Sequence, residues 1–272
     1  MCVLLLLGAC TQDIQGLRTP RSAASQTFGI RWREGSSNKY RWQIDDKFMV
    51  NGKPDQHTVA GDSVIYVLAV DSMHVATLQV TLTLDPQYVQ ANEQASQVSK
   101  LTVGPRGKIV ANPDGNFSDL LDLHSVVPLL PPPGSTAGDR WHEEYALPNP
   151  LMGDKRDFAV NGQYVRDEGA GLQRLAVIQV HMSASVDDTV PYDNLYGPPP
   201  ADEPPHLTIH DRGTHVSDIT YWYDRVHQVL SKSVATHNFT TNREYIDDSK
   251  NQVFARATLV GTETVTITRA AS

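Results

Sequence analysis

The chain has 272 residues, and its 31 acidic side chains outnumber its 23 basic ones, which gives a formal net charge of -8. Binding to a phosphate backbone needs clustered Lys and Arg, so the composition argues against nucleic acid as a partner. Hydrophobic residues make up 40% of the chain, which excludes disorder throughout. The length suffices for one large β domain or two small ones.

The first ten residues, MCVLLLLGAC, form an apolar run that is followed by small residues and a cysteine. The run is too short to span a bilayer, which takes about 20 apolar residues, but it is typical of the end of a secretory signal. The ending L-G-A-C resembles the lipobox of bacterial lipoproteins, and this resemblance implies that Cys10 carries a lipid. The alternative is a chance Leu-rich start with an inert cysteine.

We therefore interpret residues 1–10 as the remnant of a lipoprotein signal. Because no positively charged region precedes the apolar run, we expect a truncated start. Residues 11–25 are polar and aperiodic, which predicts a flexible tether. Thr11 stands where an Asp would imply inner-membrane retention in enterobacterial lipoproteins, so the same resemblance implies sorting to the outer membrane. Cys2 and Cys10 are the two cysteines of the chain, which leaves no thiol for a disulfide in the folded body.

Residues 26–116 are predicted to form a first unit of β-strands. Aromatic and β-branched side chains alternate with polar ones along much of this segment, which is typical of half-buried strands. Asn51-Gly52 is a turn dipeptide, and Pro54 is expected to end the ladder there, with the next strand beginning at Val64. A hairpin turn is predicted at Gly104–Gly107.

Residues 117–139 interrupt the strands with a helix and a hinge. Apolar side chains recur at three- and four-residue spacing over Phe117–Val127, which predicts a short amphipathic helix packed on a sheet. Pro128 must end the helix or lie just past its end, and Pro131–Pro133 impose a stiff, extended path.

Residues 140–272 are predicted to form a second β unit with strands in an order similar to the first, which suggests an internal pseudo-repeat. Residues 187–205 are rich in proline and acidic side chains, which predicts a surface loop. Tyr221 and Tyr223 fall on one face of a strand and Trp222 on the other. Core packing is the expected use of this aromatic cluster, and the alternative is a platform that stacks on a sugar or a lipid.

Two motifs suggest a family. The segment P-L-L-P…G-D-R-W lies at Pro128–Trp141, and G-x-x-x-S-D-I-x-Y-W-Y-D lies at Gly213–Asp224. Together they resemble a family of uncharacterised bacterial secreted lipoproteins, in which an LP-rich segment ending in G-D-x-W joins two β-rich halves. The resemblance covers Lys39–Arg269 and implies an address rather than a reaction.

Catalytic and metal-binding patterns are weak. His206, His210 and His215 are close in sequence, but on a strand His206 and His210 would lie about 13 Å apart, too far for one metal ion. The sequence has no G-x-S-x-G motif, and we expect no S-x-x-K segment to serve as an acylation site. We expect no catalytic residue, metal or cofactor. A pocket that gathers His142 or His181 with acidic groups would instead favour a hydrolase.

The predicted fold is mainly β: a curved antiparallel sheet or open half-barrel, built from two similar strand-rich units with one short helix between them. The predicted function is a non-catalytic lipoprotein, anchored through Cys10 at the periplasmic or surface face of a bacterial envelope membrane. It would bind a lipid or another hydrophobic ligand between sheet and helix, as in half-barrel lipoprotein carriers, through residues that the sequence does not identify. The alternatives are a structural or interaction module with an envelope protein partner and an unrecognised hydrolase.

Overall fold

The computed structural model describes residues 28–89, 95–111, 120–148, 155–169, 174–193, 199 and 203–270. The strands, in chain order, are β1 Ser37–Val50, β2 Lys53–Val70, β3 Ala76–Leu84, β4 Ser96–Val103, β5 Ile109–Ala111, β6 Arg140–Pro148, β7 Lys155–Glu168, β8 Leu175–Pro191, β9 Leu207–Asp224, β10 Val229–Asp247 and β11 Gln252–Arg269. The helix α1 spans Leu120–Val126, and a 3-10 turn spans Pro86–Tyr88. The predicted signal remnant and tether, with Cys10, lie outside the described residues.

The eleven strands of the described residues belong to one antiparallel sheet in the order β5-β4-β3-β2-β1-β11-β10-β9-β8-β7-β6. The first and last strands pair with each other at the centre, and neighbouring strands of each half follow outward as a meander. Within the described part of the chain the edge strands β5 and β6 do not pair with each other, so the sheet does not close into a barrel. The predicted fold class is confirmed, while the similarity of the two units stays a prediction.

The segment after α1 fills the gap between the two edges of the sheet. The Leu130 amide donates to the Arg106 carbonyl at 3.0 Å, and the Gly138 amide donates to the Tyr164 carbonyl at 2.6 Å. Arg106 also forms an ion pair with Glu143 of β6. The predicted hinge therefore joins the edges of the sheet where no strand ladder does.

The helix predicted over Phe117–Val127 is observed at Leu120–Val126, and residues 117–119 are not described. Leu123 and Val127 are buried in the same core as the inward side chains of the sheet. Pro128 follows directly and cannot continue the helix, because it lacks an amide N–H.

The N-terminal described residues close one end of the sheet. The Phe28 ring packs edge-on against Tyr164, with 5.0 Å between ring centroids. Tyr223 donates its hydroxyl to the Gly29 carbonyl at 2.6 Å, and the Arg225 guanidinium lies 5.6 Å from the Phe28 ring centroid. Phe28 is 3% exposed, so this end of the interior is shut.

The predicted break at Pro54 is wrong. β1 ends at Val50, Asn51-Gly52 form the turn with φ values of 51° and 76°, and Pro54 lies inside β2. β3 pairs with β2 only from Gly61 onward, so the first part of β2 has an open side. A residue without an N–H is tolerated on such an edge.

The loop predicted over residues 187–205 begins later than expected, because β8 continues to Pro191. Val190 is buried, which continues the inward alternation of the strand. Asp187 forms an ion pair with Arg212 of β9 at 3.5 Å, so this acidic residue of the expected loop has a partner on the neighbouring strand.

Other predictions are confirmed. A hairpin joins β4 and β5 across Gly104–Gly107. Tyr221 and Tyr223 are fully buried, whereas Trp222 faces outward and donates to Glu168 at 2.9 Å. Among the described residues, no helix combines the length and hydrophobicity that crossing a membrane requires.

Candidate ligand-binding site

An apolar cavity lies between α1 and the inner face of the sheet. Its volume is about 110 Å³. Leu123 and Val126 of the helix form one wall, and side chains from β1, β3, β4 and β11 form the other. The lining from these strands includes Trp42, Ile44, Leu82, Leu101, Val265 and Ile267.

Polar contacts fix α1 over this cavity. Tyr221 donates its hydroxyl to the His124 carbonyl at 2.8 Å, and Ser233 donates to the Ser125 carbonyl. The last carbonyls of a helix have no partner within the helix, so these donors satisfy groups that would otherwise be buried and unpaired. The helix is thereby held to β9 and β10.

His237 of β10 forms a second link to the helix. Its Nε2 lies 3.3 Å from Ser125 Oγ, and its Nδ1 lies 2.7 Å from Ser217 Oγ of β9. A serine beside a histidine can act as a nucleophile, but it must be reached by a substrate. Ser125 is 0% exposed and His237 is 3% exposed, so the contact acts as a structural clamp.

His124 is a buried histidine that stays neutral. His124 is 0% exposed to solvent, and its Nδ1 atom lies 3.2 Å from the Val127 carbonyl oxygen. Burial lowers the pKa of His124 to about 4, and the hydrogen bond to Val127 opposes this only in part. The helix therefore carries no positive charge over the cavity at neutral pH.

Next to the cavity, five polar side chains occupy directly opposed positions on neighbouring strands: His57, Asp46, Glu263, His237 and Ser217. We call this set the polar row. It lies on the inner face, one inward position beyond Ile44 and Val265, which line the cavity.

The two carboxyl groups of the polar row hydrogen-bond to each other. Burial raises the pKa of Asp46, while the hydrogen bond to Glu263 and the charge of His57 act in the opposite direction. Two carboxyl groups can hydrogen-bond only if a proton lies between them. Burial outweighs the opposing effects, so Asp46 retains its proton to a higher pH than an exposed carboxyl would.

Beyond the polar row, two aromatic side chains narrow the interior over a glycine. A Cβ atom on Gly261 would lie 2.3 Å from the Phe239 ring and 2.8 Å from Phe48 Cβ. Glycine is needed because the Phe239 ring and the Phe48 Cβ atom both lie against its backbone. The interior thus changes from apolar to polar to aromatic along the strands.

The three histidines that are close in sequence have different neighbours in the folded chain. His210 contacts Asp187 at 2.7 Å, whereas the His215 ring lies 6.0 Å from Phe239. The His206 carbonyl accepts from the Asp248 amide at 3.1 Å. Within the described part of the chain, no group of three His, Cys, Asp or Glu side chains is arranged to hold a metal.

An outward-facing depression of about 380 Å³ gathers His181 with Asp218, whose Nδ1 and Oδ1 atoms are 2.8 Å apart. His142 lies beside it and contacts Asn161 at 2.9 Å. A pocket that gathers His181 with an acidic group is the arrangement that would favour the hydrolase alternative. Both side chains of the His181–Asp218 pair are about half exposed or more, at 46% and 63%.

Sequence reasoning did not identify the polar row. Its members come from five strands that are brought side by side only in the folded sheet. One local signal was present, because Asp46 interrupts the inward series of Trp42, Ile44 and Phe48.

Neither protein-family models nor curated proteins gave a match to this chain.

Proposed function

We propose that this chain is a non-catalytic protein of the bacterial envelope that holds a hydrophobic ligand between α1 and the sheet. The observation that carries this proposal is the apolar cavity of about 110 Å³ under the helix. Ligand pockets typically measure about 300–1,000 Å³, so the enclosed part of the ligand is short. An engineered apolar cavity of about 150 Å³ stays dry and binds benzene, which shows that this size class accepts apolar groups.

The energetics support a ligand. An unfilled cavity of this size destabilises a protein by roughly 2–3 kcal/mol, at about 24 cal/mol per Å³. That is a large fraction of the 5–15 kcal/mol, approximately, by which a domain is stable. An apolar chain in the cavity would restore the lost contacts. Since polar contacts hold α1 in place, the cavity is preformed.

The address is part of the same proposal. A lipid on Cys10 would attach the protein to the periplasmic or surface face of an envelope membrane and bring it close to a supply of acyl chains. Support comes from the sequence M-C-V-L-L-L-L-G-A-C, because its small residues before the cysteine suit a lipoprotein signal.

A mass-spectrometric experiment tests the ligand. The chain is purified from a bacterial host without detergent, extracted with organic solvent and analysed for lipids. We expect a bound apolar ligand, and we expect Val265→Phe, which fills the cavity, to lose it. Thr264→Phe is the matched control, because Thr264 is the residue next to Val265 on β11 and its side chain faces away from the cavity. Repeatedly empty wild-type protein would contradict the proposal.

A second candidate is an interaction module of the envelope. Met49, Val50, Val253 and Phe254 remain 37–49% exposed where β1 ends and β11 begins, at one end of the sheet. Exposed apolar groups at one end of a sheet can contribute to a contact surface. A photo-crosslinker at Phe254 should capture an envelope protein in intact cells, whereas one at Val226, exposed at the opposite end, should not. Equal yields would contradict this candidate.

The hydrolase alternative rests on the His181–Asp218 pair. A carboxylate that orients a histidine is a common general-base arrangement. Hydrolysis of a p-nitrophenyl ester that His181→Ala abolishes would support it. Activity that survives in this variant would contradict it.

A further inference from the structure

The polar row lies at a defined distance from the apolar cavity. Ile44 and Val265 line the cavity, and Asp46 and Glu263 are the next inward residues on the same two strands. Two residues along a strand correspond to about 7 Å. A chain that ends in the cavity and runs along β1 therefore reaches the two carboxyl groups after a short alkyl stretch.

The carboxyl pair offers acceptors rather than donors. Oδ1 of Asp46 is buried and accepts no hydrogen bond within the described structure. Buried polar atoms are normally satisfied, so an acceptor of this kind suits a donor from a bound molecule. No Lys or Arg belongs to the polar row, which leaves anions without a basic partner there.

We infer, on the basis of the proposed function, that the ligand is a single-chain amphiphile whose head group donates hydrogen bonds, an amine or an alcohol, to Asp46 and Glu263. The charge of the pair favours an ammonium over an uncharged alcohol and disfavours a carboxylate or phosphate. The cavity volume of about 110 Å³ limits the buried tail to one chain. His57 on β2 and His237 on β10 are the other titratable groups that face the pair.

Three probes with the same chain test this inference by titration calorimetry at pH 7: octylamine, 1-octanol and octanoate, all below micellar concentrations. We expect octylamine to bind most tightly and octanoate at least tenfold more weakly. Asp46→Asn should weaken octylamine at least tenfold and leave 1-octanol within about threefold. Asp45→Asn is the matched control, because Asp45 faces outward and accepts from Thr58 at 2.9 Å.

The outcomes separate the inference from the proposed function. If octanoate binds as tightly as octylamine, the head-group inference fails while the hydrophobic site stands. If none of the three probes binds, the proposed function fails as well. The comparison among probes uses the wild-type chain, so it does not depend on whether Asp46→Asn folds. Glu263→Gln gives a second test, with the same loss of octylamine binding expected.

Discussion

Ser125 and His237 are 112 residues apart in sequence, yet Ser125 Oγ lies 3.3 Å from His237 Nε2 inside the protein. This contact joins α1 to the centre of the sheet. Together with the Tyr221 and Ser233 hydroxyls, it fixes the helix that forms one wall of the cavity. The cavity therefore depends on polar contacts as much as on apolar packing.

Removing one of these contacts should weaken the whole fold. Tyr221→Phe keeps the ring but leaves the buried His124 carbonyl without its donor. We expect the free energy of unfolding in urea to fall by about 1–3 kcal/mol. Tyr66→Phe, at a residue that is 39% exposed, should change it by less than about 0.5 kcal/mol. Equal effects of the two changes would contradict the role of the Tyr221 hydroxyl in holding α1 to the sheet.

The packing of the segment after α1 against the edge of the sheet leads to a prediction about two glycines. Gly107 and Gly134 both have φ values of +86°, but a Cβ on Gly107 would lie 1.9 Å from the Pro128 carbonyl oxygen, whereas Gly134 has nothing within 4 Å. Gly134→Ala should cost about 1–2 kcal/mol because of its backbone conformation alone. Gly107→Ala should cost clearly more in the same denaturation experiment. Similar losses would show that the close approach does not matter.

His124 predicts a pH dependence of stability. Its pKa is lowered from 6.5 to about 4 by burial, so between these values the unfolded chain binds a proton that the folded chain does not. The free energy of unfolding should therefore fall as the pH falls from 6.5 to 4, by up to about 3 kcal/mol from this group. Asp46, with a raised pKa, acts in the opposite direction.

An NMR titration isolates the His124 contribution. The ring signals of His124 should stay those of a neutral imidazole down to about pH 4. His124→Gln should show a shallower loss of stability over this range than wild type, whatever its stability at pH 7. Titration of the wild-type ring near pH 6.5 in the folded protein would contradict the prediction.

The lipid anchor predicts selective labelling. When the chain is expressed in a bacterium with radioactive fatty acid, wild type and Cys2→Ser should be labelled, and Cys10→Ser should not. The two cysteines are matched controls because both lie in the same short segment. Label that persists in Cys10→Ser would rule out anchoring at this residue.

The sequence predicted the parts of the fold that depend on local patterns. Alternation placed Tyr221 and Tyr223 on the same face of a strand, and three- and four-residue spacing located α1. The polar row could not be predicted from the sequence, because it depends on the pairing of β1 with β11. Local patterns do not fix the register of strands that are so distant in sequence. The strand break predicted at Pro54 was wrong for a related reason, since only the strand pairing shows that β2 has an open side there.

Xenon binding tests the central claim most directly, because xenon enters dry apolar cavities without needing a head group. Methyl-labelled protein is followed by NMR as xenon pressure increases. We predict saturable shifts at the cavity methyl groups of Leu123, Val126 and Val265, and none at exposed Val226. Val265→Phe should abolish the shifts. Cavity methyl groups that do not respond in folded wild-type protein would contradict the presence of a hydrophobic binding site under α1.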